Sequence, residues 1–168
     1  ESGVKNFKQD EYTVMPDRIE AWTYLIAAAV TEGDLKICGI KPNIIKTEID
    51  TLRKIGIIIK TEKDLIKLTG IKNIKKINLK TAPYPGFPTD LQAQLMVLLC
   101  KSKDHSTIRE EIFENRFMHV AELRRLGAKI IVKGNKAIIE GQTEFIGAEL
   151  MSSDLRASVA LVLAAMVA

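Results

Sequence analysis

Two short stretches of this chain gather residue types that could do chemistry. In Thr81-Ala-Pro-Tyr-Pro-Gly-Phe-Pro-Thr-Asp-Leu-Gln-Ala-Gln94, Pro83, Pro85, Gly86 and Pro88 make a stiff non-helical approach, and Thr89-Asp90 then opens an apolar helical run. A carboxylate held there is fixed in space. In Ile112-Phe-Glu-Asn-Arg-Phe-Met-His119, the polar residues Glu114, Asn115, Arg116 and His119 crowd between and beside aromatics, directly before another helix. Core packing alone does not require that density of polar groups. A positioned carboxylate and a cation are what acid–base chemistry and anion binding need. Together the two stretches read as one half of an active site.

Elements that could position them follow from periodicity. Tyr12 to Met15 reads as a strand, and Pro16-Asp17 opens a helix to about Thr31 with Gly33 just past its end. Leu35 to Cys38 is a strand, and a helix from about Asn43 to Ile55 stops at Gly56. Ile57 to Lys60 and Leu65 to Leu68 form a hairpin across Lys63-Asp64. The order βαβαββ then recurs: strand Lys76 to Lys80, helix Asp90 to about Ser102, strand Thr107 to Ile112, helix Met118 to Leu126, and Lys129 to Val132 paired with Ala137 to Glu140. Leu52-Arg-Lys-Ile-Gly56 matches Leu123-Arg-Arg-Leu-Gly127 and Thr69-Gly70 matches Glu140-Gly141, both at an offset of 71, while Asp17 matches Asp90 at 73. A third copy begins with a strand from Ala148 to Met151 and a helix at Asp154. Repetition at this length means one supersecondary unit used several times. The reading divides the chain into repeat one at about 11–70, repeat two at about 76–141 and a partial third at about 146–168. Because the chain stops at Ala168 inside an apolar helix without a cap, further polypeptide is expected to follow.

Composition narrows the classes of function. With 168 residues and 46% apolar content the chain can bury a real core. Its longest apolar run, near Ala157 to Ala168, is too short for a bilayer span, and no basic-then-apolar leader opens it, so neither membrane nor export is expected. Cys38 and Cys100 lie in apolar surroundings without CxxC spacing, which reads as buried, reduced thiols rather than a zinc site or disulfide. From Lys36 to Lys80, twelve Lys/Arg face four Asp/Glu. With no arginine cluster and no interleaved aromatics, this reads as a solvated basic face favourable to anionic small molecules, and not as a nucleic-acid surface.

Four motifs in register carry a resemblance: Pro16-Asp-Arg-Ile-Glu-Ala21, the Thr81 to Gln94 run, Phe113-Glu-Asn-Arg-Phe-Met-His119 with Glu122-Leu-Arg-Arg-Leu-Gly127, and Ser153-Asp-Leu-Arg-Ala-Ser158. Together they span nearly the whole chain, which resembles the enolpyruvyl transferases and, within them, the branch that acts on UDP-N-acetylglucosamine. The resemblance implies an α/β fold, an inside-out barrel of βαβαββ units in two similar domains with substrates in the cleft between them. This chain would be most of the second domain, and inactive without the first. The implied reaction moves the enolpyruvyl group of phosphoenolpyruvate to the 3-hydroxyl of UDP-N-acetylglucosamine with release of phosphate, with no metal or organic cofactor. The implied setting is peptidoglycan precursor synthesis in the bacterial cytoplasm, and hence cell shape and division.

By the same resemblance Asp90 matches the acid/base carboxylate at the sugar hydroxyl and Arg116 the arginine on the donor phosphate. Arg156 is similar to a second arginine of the site, and Ile112 and Phe113 border the acetylglucosamine. Each has a plainer reading. Asp90 and its counterparts Asp17 and Asp154 could be helix-start acids. Arg116 could pair with Glu114, Arg156 could be ordinary helix-start chemistry, and Phe113 could plug the core. Arg18 and Glu20 read as a first-turn pair and His119 as a structural histidine. Trp22 departs from the family's glycine, so its indole must either displace a neighbour or lie where a partner domain would pack. Two other functions stay open: the shikimate-pathway enolpyruvyl transferase, and a binding module without catalysis.

Overall fold

Asp17 starts the first helix as a true cap: its carboxylate accepts from the backbone amides of Ile19 at 2.7 Å and Glu20 at 3.4 Å. The computed structural model describes residues 11–152 and 155–168, without the side chains of Arg156 and Ala157. Helix α1 (Arg18–Val30) buries Ala21, Trp22, Leu25, Ile26, Ala29 and Val30, the stripe that its apolar spacing predicts. It ends in a Schellman turn, with the Gly33 amide donating to Ala28 at 2.9 Å and Glu32 in the left-handed region at φ 58°. Gly33 therefore follows the left-handed residue. A glycine is demanded instead at Gly70, where a Cβ would come within 2.6 Å of the Glu32 backbone.

Strand β1 (Asp34–Cys38) leads through a 3-10 turn at Pro42–Ile45 into α2 (Lys46–Lys54), and Gly56 at φ 100° releases the chain into the hairpin β2 (Ile58–Glu62) and β3 (Leu65–Thr69). The sheet is antiparallel in the order β1-β3-β2. The second sheet has the order β4-β5-β7-β6, in which β4 (Asn78–Lys80) runs parallel to β5 (Ser106–Arg109), and β6 (Ile130–Lys133) and β7 (Lys136–Ile139) form the hairpin. Between the sheets' helices lies α3 (Gln92–Cys100). All nine of its residues are buried, because both α1 and α5 (Leu155–Ala165) pack on it and β5 and β7 adjoin it. Burying each of its large apolar side chains contributes on the order of 1.5–3 kcal/mol. Helix α4 (Val120–Arg125) completes the second unit.

The same fasteners recur 71 residues apart. Arg53 clamps the Ile59 carbonyl through Nε and Nη2, and Arg124 does the same to Ile130. The Lys75 amide donates to Ile55 at 2.8 Å and the Ile146 amide to Leu126 at 3.0 Å. Gly56 and Gly127 share a left-handed backbone, at φ 100° and 94°.

Several expectations are corrected. Tyr12 to Met15 forms no strand, and Tyr12, Val14 and Met15 stand exposed. At the offset of 73 this segment corresponds to Pro85 to Pro88, a loop in the second unit. Ala148 to Met151 is not a strand either; its described tie is the Met151 amide donating to Glu122 of α4 at 3.0 Å, which is no ladder. Strand β5 stops at Arg109 and does not reach Ile112, because the Glu110 carboxylate turns the chain there. Cys38 is exposed, since it ends an edge strand, whereas Cys100 is buried and its thiol is pushed up to about 12 by desolvation. Asp154 lies outside the described residues.

Trp22 does not face a cleft where a partner domain could pack. It is fully buried and meets Phe87 edge-on, with ring centroids 5.5 Å apart.

Candidate functional site

The approach to Asp90 is built as a compact loop. The Ala82 amide donates to Phe87 at 2.9 Å and the Gly86 amide to Pro83 at 2.7 Å, and the Tyr84–Pro85 peptide is cis. Gly86 has no room for a Cβ, which would collide with that of Ala82. Phe87 plugs the core beneath, at 3% exposure. A 3-10 turn at Thr89–Leu91 then carries Asp90 into α3. The N-caps here are Pro88 and Leu91, so Asp90 does not sit where Asp17 sits in its own helix.

Asp90 Oδ1 faces Arg116 Nη2 at 3.6 Å, both side chains being 27% exposed. This is an ion pair rather than a tight hydrogen bond. Arg116 has its guanidinium 4.7 Å from the centroid of the Phe113 ring. Its ion pair is with Asp90, not with Glu114. Phe113 is 53% exposed, so it does not fill the core. The loop backbone is fixed on both sides: Gln92 Nε2 donates to the Arg116 carbonyl at 2.9 Å, and Asn115 takes a left-handed turn at φ 55°. A cavity of about 220 Å³ opens here, lined by Glu110, Phe113, Glu114, Asn115 and Arg116 among others.

Glu110 holds these pieces together. It is 3% exposed, and its carboxylate accepts from the hydroxyls of Thr81 and Thr89, both at 2.7 Å, and from the amides of Ile112 at 2.9 Å and Phe113 at 3.3 Å. Thr81 in turn accepts from the Glu111 amide at 2.8 Å. One buried carboxylate thus ties the segment beside Asp90 to the segment carrying Phe113 and Arg116, with charge-assisted hydrogen bonds replacing water. Sequence reasoning missed Glu110, Thr81, Thr89 and Gln92 as a framework. The available signal was the Glu110-Glu111 pair at the end of the strand that leads into the Ile112 to His119 run.

His119 is 3% exposed and lies 6.5 Å from Phe117, ring to ring. The Arg156 side chain lies outside the description. Among the described residues no three His, Cys, Asp or Glu side chains converge as a metal site, and no helix is long and apolar enough to cross a membrane. The geometry offers a carboxylate for proton transfer beside a guanidinium that has an aromatic platform and lines the cavity.

The family model for EPSP synthase (3-phosphoshikimate 1-carboxyvinyltransferase) matches residues 2–168. The chain belongs to the EPSP synthase family. Within it, the chain is 66% identical over 166 residues to the UDP-N-acetylglucosamine 1-carboxyvinyltransferase of Pelagibacter ubique, covering 99% of this chain and 40% of that protein. It is 50% identical over 163 residues to the enzyme of that name from Rickettsia bellii, covering 97% of this chain and 39% of that one. Among solved structures it is similar to the enolpyruvyl transferase NikO from Streptomyces tendae, with a TM-score of 0.85, 26% identity, and 93% of this chain and 38% of that one covered. EPSP synthase from Acinetobacter baumannii, at 17% identity and a TM-score of 0.71, covers 94% of this chain and 38% of its own and shares the fold. The mixed α/β architecture is that of EPSP synthase family members. The chain spans about 40% of the length of the curated relatives it matches.

Proposed function

We propose that this chain is part of a UDP-N-acetylglucosamine 1-carboxyvinyltransferase, which moves the enolpyruvyl group of phosphoenolpyruvate to the 3-hydroxyl of UDP-N-acetylglucosamine and releases phosphate. The observation that carries the reading is the apposition of Asp90 and Arg116 beside exposed Phe113, in a chain 66% identical to a relative of that name. In this account Asp90 takes the proton of the attacking hydroxyl, while Arg116 neutralises the donor phosphate through the tetrahedral intermediate and as it departs. Phe113 and the Ile112 backbone border the acetylglucosamine, and Arg156 supplies a second cation.

The half-cleft needs a companion domain of the same enzyme to close over the substrates, so the described segment alone is inactive. The reaction draws on no metal or organic cofactor. Its setting is peptidoglycan precursor synthesis in the cytoplasm of a bacterium, with consequences for cell shape and division, and with no nucleic-acid or membrane partner.

The test is phosphate release by the full-length protein given phosphoenolpyruvate and UDP-N-acetylglucosamine, with 3-phosphoshikimate as the rival acceptor. Release dependent on the nucleotide sugar is expected. Release dependent on 3-phosphoshikimate, or none with either acceptor, would refute the reading.

A further inference from the structure

The first motif, Pro16 to Ala21, and the buried Trp22 have no task in the chemistry above, yet their surroundings converge on one loop. Trp22 of α1 meets Phe87 edge-on. At the start of α2, the Thr47 hydroxyl donates to the Pro85 carbonyl at 2.6 Å. Arg18 lies 5.6 Å from the centroid of the Tyr84 ring. Arg18 is itself held by Glu48, whose carboxylate is 2% exposed; its Oε1 lacks a hydrogen-bond partner and has the Arg18 guanidinium at 3.9 Å. The guanidinium is the cation that faces this buried carboxyl, so Glu48 seats Arg18 at the start of α1. Tyr84, Pro85 and Phe87 are consecutive parts of the approach that ends at Asp90.

We propose that the first repeat acts as a clamp on the approach loop, with Trp22, Thr47 and the Arg18–Glu48 pair as positioning residues that set Asp90 against Arg116. The clamp rests on the functional reading of Asp90 above. The loop's own bonds, Ala82 to Phe87 and Gly86 to Pro83, fix its shape. They do not fix its placement on the rest of the molecule. Glu110 holds the loop's two ends through Thr81 and Thr89, and three contacts reaching over from α1 and α2, each on a different loop residue, place the span between them. The Thr47 hydroxyl is the one that can be removed with the least disturbance, being part-exposed and outside the apolar core.

The experiment compares Thr47→Ala and Thr47→Ser in the full-length protein, reading steady-state kinetics and amide hydrogen exchange at Ala82 and Gly86. Thr47→Ala is expected to lower kcat about tenfold with KM for both substrates little changed, since a sub-ångström misplacement of a proton-transfer group acts on the chemical step. It should also speed exchange at both amides severalfold, and Thr47→Ser should restore both readouts. Unchanged exchange in Thr47→Ala would overturn the clamp whether or not the protein transfers enolpyruvyl groups. Faster exchange with wild-type kcat would show a loop tie that does not position Asp90, and would overturn the inference equally. Absence of transfer in the unaltered protein would sink the functional reading alone.

Discussion

The ten residues after β1 and the ten after β5 match at the offset of 71 and occupy the same place in their repeats, yet only one stretch builds a site. Residues 39–48 read Gly-Ile-Lys-Pro-Asn-Ile-Ile-Lys-Thr-Glu, and residues 110–119 read Glu-Glu-Ile-Phe-Glu-Asn-Arg-Phe-Met-His. In the first, Gly39 turns the chain at φ 82° and Pro42 starts a 3-10 turn that seats Ile45 in the core at 0% exposure. In the second, Glu110 stands in the glycine's place and captures two hydroxyls and two amides, and Arg116 stands in the isoleucine's place and faces Asp90. The frame around them is shared, down to the arginine clamps on Ile59 and Ile130. The difference teaches that a structural connection becomes a site by exchanging side chains on a fixed frame, without inserted chain.

The comparison breaks most visibly at Ile45 and Arg116. Arg116→Ala should lower kcat/KM for phosphoenolpyruvate by about 10²–10³ while leaving the unfolding midpoint nearly unchanged. Ile45→Ala should do the reverse, costing about 2–5 kcal/mol in a denaturant titration with the kinetics of the folded fraction intact. If both positions affected stability alike, the assignment of site and frame would be wrong. Trp22→Gly is next: removing a fully buried indole packed on Phe87 should destabilise by at least about 3–5 kcal/mol, and a gain in stability would contradict the packing described.

Glu110→Ala leaves the donors of its network buried without an acceptor, a loss of about 1–3 kcal/mol, accompanied by a larger fall in kcat than that loss explains. Glu110→Gln keeps one acceptor oxygen and should fall between it and the native protein. Gly39→Ala, at the equivalent position, should lower stability through its backbone alone and leave kcat unaltered.

The smallest effect concerns pH. Burial pushes the Glu48 carboxyl above the ordinary carboxylate range, against the opposing pull of its backbone hydrogen bond and of Arg18. A carboxyl whose folded value is raised supports the fold fully below its unfolded value, near 4.5, and that support is lost as pH rises through the folded value. Stability measured across this range should fall with rising pH in the native protein and less so in Glu48→Gln. Parallel pH profiles would show that Glu48 is not desolvated as described.

The fold was legible because its signals are local and doubled. Asp17 announces itself as a cap, and the left-handed stops at Gly56 and Gly127 and the matching hairpins announce themselves by spacing and are each seen twice. The failures share a physical cause: a strand exists only if a partner lies beside it. Tyr12 to Met15 and Ala148 to Met151 have strand composition but no ladder among the described residues. At the site, Asp90 and Arg116 were recognisable by motif, whereas their 3.6 Å apposition and the role of Glu110 depend on contacts across twenty or more residues. A buried glutamate and an exposed one look the same in a sequence. The packing of Trp22 was hidden for the same reason, since its partner Phe87 lies in the other repeat.

The most direct test of the account sets the two aspartates that match at the offset of 73, one a helix cap and the other facing Arg116, against each other: turnover of phosphoenolpyruvate with UDP-N-acetylglucosamine by the full-length protein carrying Asp90→Asn or Asp17→Asn. The account predicts a fall in kcat of about 10²–10⁴ for Asp90→Asn, and near-native turnover for Asp17→Asn, where asparagine caps as well as aspartate. Near-native turnover in Asp90→Asn would contradict it.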